Sequence, residues 1–126
     1  MNSAAQAWAL RAEAHFSTAR REASALQEAH PAAVVHPAHA CAEAYLKARL
    51  AEASLPFPAT PHLVVLLYSC LDFHPEWEDF RASLRALTAL AEESRDPEAQ
   101  LTPGQGQAAL VHCGSFRAEA RKSLGI

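Results

Sequence analysis

The stretch His39-Ala-Cys-Ala-Glu43-Ala-Tyr-Leu-Lys47-Ala-Arg-Leu50 decides the fold. In and just before it, Ala38, Cys41, Ala42, Tyr45, Leu46 and Leu50 recur at steps of three and four, the spacing that lines one face of an α-helix. Glu43 and Lys47 stand four apart on another face, acid before base, an order worth about 0.2–0.5 kcal/mol to a helix. Pro37 lacks an N–H and should stand before the helix, which then runs from there to about Ala53.

Working outward, residues 4–29 hold neither proline nor glycine, and Trp8, Ala12, His15, Phe16, Ala19, Ala23 and Leu26 keep the same period. This predicts a long first helix, ended by His30-Pro31 because the residue before a proline is pushed out of helical geometry. On the other side, Pro56, Pro58 and Pro61 forbid helix. Leu63 to Leu71 is then short and almost wholly apolar, which predicts a buried third helix, with a strand as the alternative. Pro75 suits a first helical position, and Glu76, Glu78 and Asp79 suit the positive end of a helix dipole. A fourth helix is expected from there to Glu93, carried by Trp77, Phe80, Leu84, Leu87 and Ala91. After a polar connection containing Pro103-Gly104 and Gly106, the residues Ala109, Cys113, Phe116, Ala120 and Leu124 predict a fifth.

Short links place neighbouring helices antiparallel. The expectation is an all-α, up-and-down antiparallel helical bundle of four long helices and a short extra one, a single domain over residues 1–126. Composition agrees, since 50% of the residues are hydrophobic and alanine supplies much of that share. A formal net charge of −3 gives no overall basic field for nonspecific nucleic-acid binding, so any such contact needs a local patch. Cys41, Cys70 and Cys113 form no C-x-x-C pair, which predicts buried free thiols in a reducing compartment. Charges interrupt the apolar residues near the start and no apolar run reaches spanning length, so a cytoplasmic protein with no signal peptide and no membrane partner is expected.

Sites of common chemistry fit poorly. His36-x-x-His39-x-Cys41 offers metal-ligand types, but Cys41 shares the apolar stripe and should turn away from the histidines, so no metal and no cofactor is expected. No cysteine or serine sits in a glycine-rich turn that would present a nucleophile, and Gly104, Gly106, Gly114 and Gly125 form no phosphate loop. Gly104 and Gly106 are read as loosening a connection. Gly114 interrupts a good helix, as a close approach to a second copy or within one bundle would require. Arg117, Arg121 and Lys122 suit the negative end of the last helix without any partner. Arg81 and Arg85 lie one turn from Glu78 and Asp79, which can neutralise them.

Taken together, Trp8, the run from His39 to Leu50, Thr60-Pro61-His62-Leu63, Arg95-Asp96-Pro97 and the alanine-rich last helix resemble a HEPN domain (higher eukaryotes and prokaryotes nucleotide-binding). Glu43 with Leu46-Lys47-Ala48 resembles the family's Gln-Gln-x-x-Glu-Lys-x-Leu-Lys-Ala run. His39 and Ala40 stand where that run has its glutamines, and Ala44 where it has its first lysine. The family's Thr-His-Asp-Leu reads Thr60-Pro61-His62-Leu63, and its Arg-Tyr-Pro-Asp reads Arg95-Asp96-Pro97-Glu98.

The resemblance implies a bundle that usually dimerises, is often encoded beside a small nucleotidyltransferase, and binds nucleotides in a polar groove at Glu43, Lys47 and Arg95. Ribonuclease members carry an arginine, four to six residues, then a histidine. No arginine here has a histidine at that spacing, and Arg11 with His15 comes nearest. No catalytic residue is therefore assigned. The reading is a noncatalytic homodimer that binds a nucleotidyltransferase partner and a nucleotide or RNA. The alternative is a ribonuclease toxin of a prokaryotic toxin and antitoxin pair, with a rearranged site at Arg95 or the Arg117 cluster.

Overall fold

Five α-helices and one 3-10 turn make up the computed structural model, which describes residues 1–25 and 30–126; no strand occurs among these residues. Helix α1 spans Ser3–Ser24, and the Asn2 side chain caps it by accepting the Ala5 N–H at 2.8 Å. Its buried seam is Ala5, Ala9, Ala12, Ala19 and Ala23, side chains short enough to let the next helix approach closely. Leu26, expected on the same stripe, lies outside the described residues.

Helix α2 spans Ala32–Glu52 and runs through the middle of the bundle. The expected stripe is buried, and so are His39, Ala44 and Ala48, because α1, α4 and α5 cover α2 on several sides. Pro37 lies inside this helix rather than before it. An interior proline costs about 3 kcal/mol through its missing hydrogen bond and ring clash. Val34 and Val35, fully buried in the turn before it, each return about 1.5–3 kcal/mol, which offsets that cost.

The helix directions follow from contacts at their ends. Asn2 donates its Nδ2 to the Ala51 carbonyl at 2.8 Å, so the start of α1 meets the end of α2. Helix α3 spans Leu63–Cys70, a 3-10 turn spans Pro75–Phe80, and α4 spans Arg81–Glu93. His36 near the start of α2 meets Ser94 at the end of α4, 3.3 Å away, so these two run antiparallel. Helix α5 spans Pro103–Leu124 and returns beside α1 in the opposite sense, with Gln107 reaching the Ala23 carbonyl and Arg117 reaching Glu13. This is the up-and-down antiparallel bundle expected, with α3 as its short addition.

Three local expectations change. Pro75 opens a 3-10 turn, not the fourth helix, and this turn buries Trp77 edge-on to Phe116 with ring centroids 5.2 Å apart. Gly104 and Gly106 sit in the first turns of α5. Thr102 accepts the Gln105 N–H at 3.1 Å while Gln105 Oε1 accepts the Thr102 N–H at 2.8 Å, a capping box that starts the helix at Pro103. Helix α3 is not buried all round, since Val65 and Tyr68 are 43% and 53% exposed. With α2 and α4 beneath it, an eight-residue helix can bury one face only. Among the described residues, no helix is long and apolar enough to cross a membrane.

Candidate functional site

Three residues spaced by one helical turn, His39, Glu43 and Lys47, form a polar row on the largely buried α2. The loop between α2 and α3 lies over this row: Phe57 packs near Lys47 and the Pro61 carbonyl faces His39. Lys47 Nζ donates to Glu43 Oε2 at 2.7 Å and stands 5.1 Å from the Trp8 ring centroid and 5.6 Å from that of Phe57. Trp8 and Phe57 are themselves edge-on at 5.8 Å. The ammonium therefore lies among two rings and a carboxylate, and it joins α1, α2 and the loop.

Arg95 does not join that pair. It lies just past α4, beside a cleft of about 140 Å³ lined also by His39, Pro61, His62, Thr88 and Glu92. No ion pair engages Arg95 among the described residues. His39 links the two parts of the expected site, standing between Glu43 on its own helix and Arg95 across the cleft. Its pKa is pushed below the ordinary histidine value, first by burial and further by the Arg95 and His36 charges, with Glu43 and Pro61 opposing. A neutral imidazole, the Thr88 hydroxyl and an unpaired guanidinium then face one small space. That set suits a phosphate-sized anion, while the Glu92 carboxylate, which opposes one, lines the same cleft and stands 3.8 Å from His62 Nδ1. A cleft this small is well under the roughly 300–1,000 Å³ of a typical small-molecule pocket, so a larger ligand must extend beyond it.

The arginines of α5 have a different setting. Arg117 holds the Glu13 carboxylate in a bidentate pair, through Nε at 2.8 Å and through Nη2. Arg121 Nη1 lies 3.5 Å from Glu13 and donates to the Tyr45 hydroxyl at 3.0 Å, and that hydroxyl donates to Glu13. The Arg117 hydrogen bonds, helped by Tyr45, hold the Glu13 pKa down at about 2 against the cost of burial. Burial and the Glu13 carboxylate push Tyr45 up to about 12. Arg117 also lies 4.3 Å over the Phe16 ring, and Gly114 faces Phe16 as well, so this glycine packs within the bundle. The Arg117 cluster expected to suit a helix end or a phosphate is occupied by the protein's own carboxylate.

Two further arrangements escape sequence spacing. Arg49 Nε donates to His74 Nε2 at 2.9 Å, which leaves Nδ1 as the protonated nitrogen donating to Glu76 at 2.9 Å. His74 stacks on Trp77 at 4.4 Å, so the group fastens the 3-10 turn to α2. Cys41 turns into the core and meets Cys113, with its pKa raised by that contact and by burial. It is thereby separated from the exposed His36. Among the described residues, no three His, Cys, Asp or Glu side chains gather as a metal site would require.

Neither the curated proteins nor the solved structures contain a match to this chain. The sequence model of the HEPN domain matches residues 5–123, nearly the whole length. The match takes in the polar row of α2, the proline loop and Arg95, so the family's characters and the cleft belong to one unit, and the chain belongs to the HEPN domain family.

Proposed function

We propose that this chain is a noncatalytic, homodimeric HEPN module that binds the phosphate of a nucleotide or RNA at Arg95 and docks a small nucleotidyltransferase partner. The observation that carries the reading is an arginine without an ion pair beside a neutral, nearly buried histidine in a cleft. An exposed arginine can take an anion without breaking any internal bond, and its fork of donors matches phosphate oxygens. Thr88 adds a hydroxyl from α4. Glu43 and Lys47 act one step removed, since their pair fixes the row that presents His39.

Titration of ATP or a short single-stranded RNA into 15N-labelled protein tests the ligand part. Amide shifts confined to residues around His39, Thr88 and Arg95, weakened about tenfold in Arg95→Ala, are expected. Shifts centred elsewhere, or none at millimolar ligand, would overturn it. Copurification with the product of a neighbouring nucleotidyltransferase gene tests the partner; a neighbourhood without such a gene counts against it.

One observation favours the ribonuclease toxin as a second reading: the cleft brings histidines to Arg95 that linear spacing does not. His39, neutral at physiological pH, could accept the proton of an RNA 2′-hydroxyl as that oxygen attacks phosphorus and displaces the 5′-oxygen. His62 or water would protonate the leaving oxygen, and Arg95 would hold the phosphate. Expression without any partner protein should then arrest growth, and Arg95→Ala should relieve the arrest. Unimpeded growth removes this reading.

A further inference from the structure

We infer that two copies of this chain meet through the outer faces of α3 and α4, about a twofold axis passing beside Thr88 and Ala89. The inference rests on the homodimer in the proposed function and names its surface.

The first support is the apolar surface that α3 leaves in solvent. Val64 and Val65 border a groove of about 310 Å³ whose other wall is Arg85, Thr88, Ala89 and Glu92 of α4. A second apolar groove, of about 390 Å³, is lined by the exposed Met1, Leu10 and Ile126, but its charged walls, Glu13 and Arg121, are already matched to one another within the chain.

The second support is charge complementarity of this face with itself. Arg85 and Glu92 stand at equal distances in sequence from the midpoint between Thr88 and Ala89. When two α4 helices pack antiparallel about that midpoint, Arg85 of each copy faces Glu92 of the other, and the pair forms twice. This is the i-to-j, j-to-i match that a twofold interface demands. The small central residues allow the helix axes to come close. Both charges are open to such a partner: Arg85 makes no ion pair among the described residues, and Glu92 has only its 3.8 Å contact with His62. A protein of unrelated sequence would have to supply this pattern separately, whereas a second copy carries it already.

The groove and the Arg95 cleft share His62, Thr88 and Glu92. A second copy seated on the groove therefore borders the cleft of the first. Each dimer holds two clefts, each with its rim completed by the neighbouring copy.

Sedimentation velocity on charge-exchange variants tests the inference. The native chain should be dimeric. Arg85→Glu and Glu92→Arg should each weaken the dimer by at least about tenfold, because each places like charges opposite one another twice. The double variant R85E/E92R should recover the native dimer, which a merely structural role for either residue would not produce. Ala89→Cys, close to the axis, should cross-link into a covalent dimer under mild oxidation, with the three native cysteines buried. A native dimer indifferent to R85E and not cross-linked through A89C would overturn this face and leave the homodimer standing. A monomer at high micromolar concentration would overturn the face and the homodimer together, with the ATP titration still deciding the ligand reading.

Discussion

The α1/α5 seam around Glu13 and the α3/α4 groove with its neighbouring cleft hold their arginines in opposite ways. On the first, Arg117 and Arg121 converge on one carboxylate, Glu13, and Tyr45 completes the set. On the second, Arg85 and Arg95 form no ion pair among the described residues, although Glu92 lines both the groove and the cleft and Arg81 at the start of α4 is held by Glu78. Charge density along the chain is highest at Arg117, Arg121 and Lys122, which suit a helix end and could also hold a phosphate. Folding spends Arg117 and Arg121 on holding α1, α2 and α5 together. Arg85 and Arg95, dispersed in sequence, stay without an ion pair among the described residues, as do Arg11, Arg20 and Arg21 of α1, and Arg95 differs from these in sharing a cleft with His39.

The comparison breaks most sharply at Glu13. Glu13→Ala leaves two guanidinium groups facing each other and the buried Tyr45 hydroxyl without its acceptor. Hydrogen bonds to charged groups contribute about 1.5–3 kcal/mol each when well shielded, and partial exposure reduces that, so a loss of about 2 kcal/mol is expected in urea unfolding at pH 7. A loss near zero would mean that the α1/α5 side is as open as the α3/α4 side.

Acid should dissolve the same contrast. Glu13 has a folded pKa near 2 against an unfolded value near 4.5, so the folded state favours the charged form. Its contribution is complete above the unfolded value and fades as pH falls from about 4.5 toward 2. The stability margin of the native chain over Glu13→Gln should hold steady from pH 7 to 5 and narrow below that. A margin that grows on acidification would reverse the assignment.

Lys47 should give a smaller loss. Lys47→Met keeps the aliphatic stem among Trp8 and Phe57 but removes the ion pair and the cation–π contacts, at about 1 kcal/mol for a site this enclosed. Glu43 then keeps no cation within bonding reach. The effect should appear as a lower urea midpoint with unchanged slope, the mark of altered stability without altered compactness.

Local spacing made the helices legible, and it made parts of the site illegible. The stripe from Ala38 to Leu50 specifies α2 because each buried position reports on the same face. The start of α5 was also written in the sequence, as Thr102 followed three residues later by Gln105, but Pro103 and Gly104 read as a loop when weighed by propensity alone. Pro37 inside α2 was not legible, because the burial of Val34 and Val35 that offsets it exists only in the folded bundle. The partnership of Glu13 with Arg117 spans 104 residues and has no local signature. The same holds for the cleft, where α2, the proline loop and α4 each contribute one or two side chains.

The smallest effect carries the most information about function. Arg95 is exposed and makes no ion pair, so Arg95→Ala should change folding stability by no more than about 0.5 kcal/mol in either direction. A residue that supports the fold so little, yet faces a neutral histidine across a cleft, is placed for a ligand if it is placed for anything. The expected pattern for R95A is therefore a native unfolding curve together with the roughly tenfold weaker ATP titration set out above. If the variant unfolds as readily as Glu13→Ala, Arg95 is another internal strut, and the difference between the two sides of the bundle disappears.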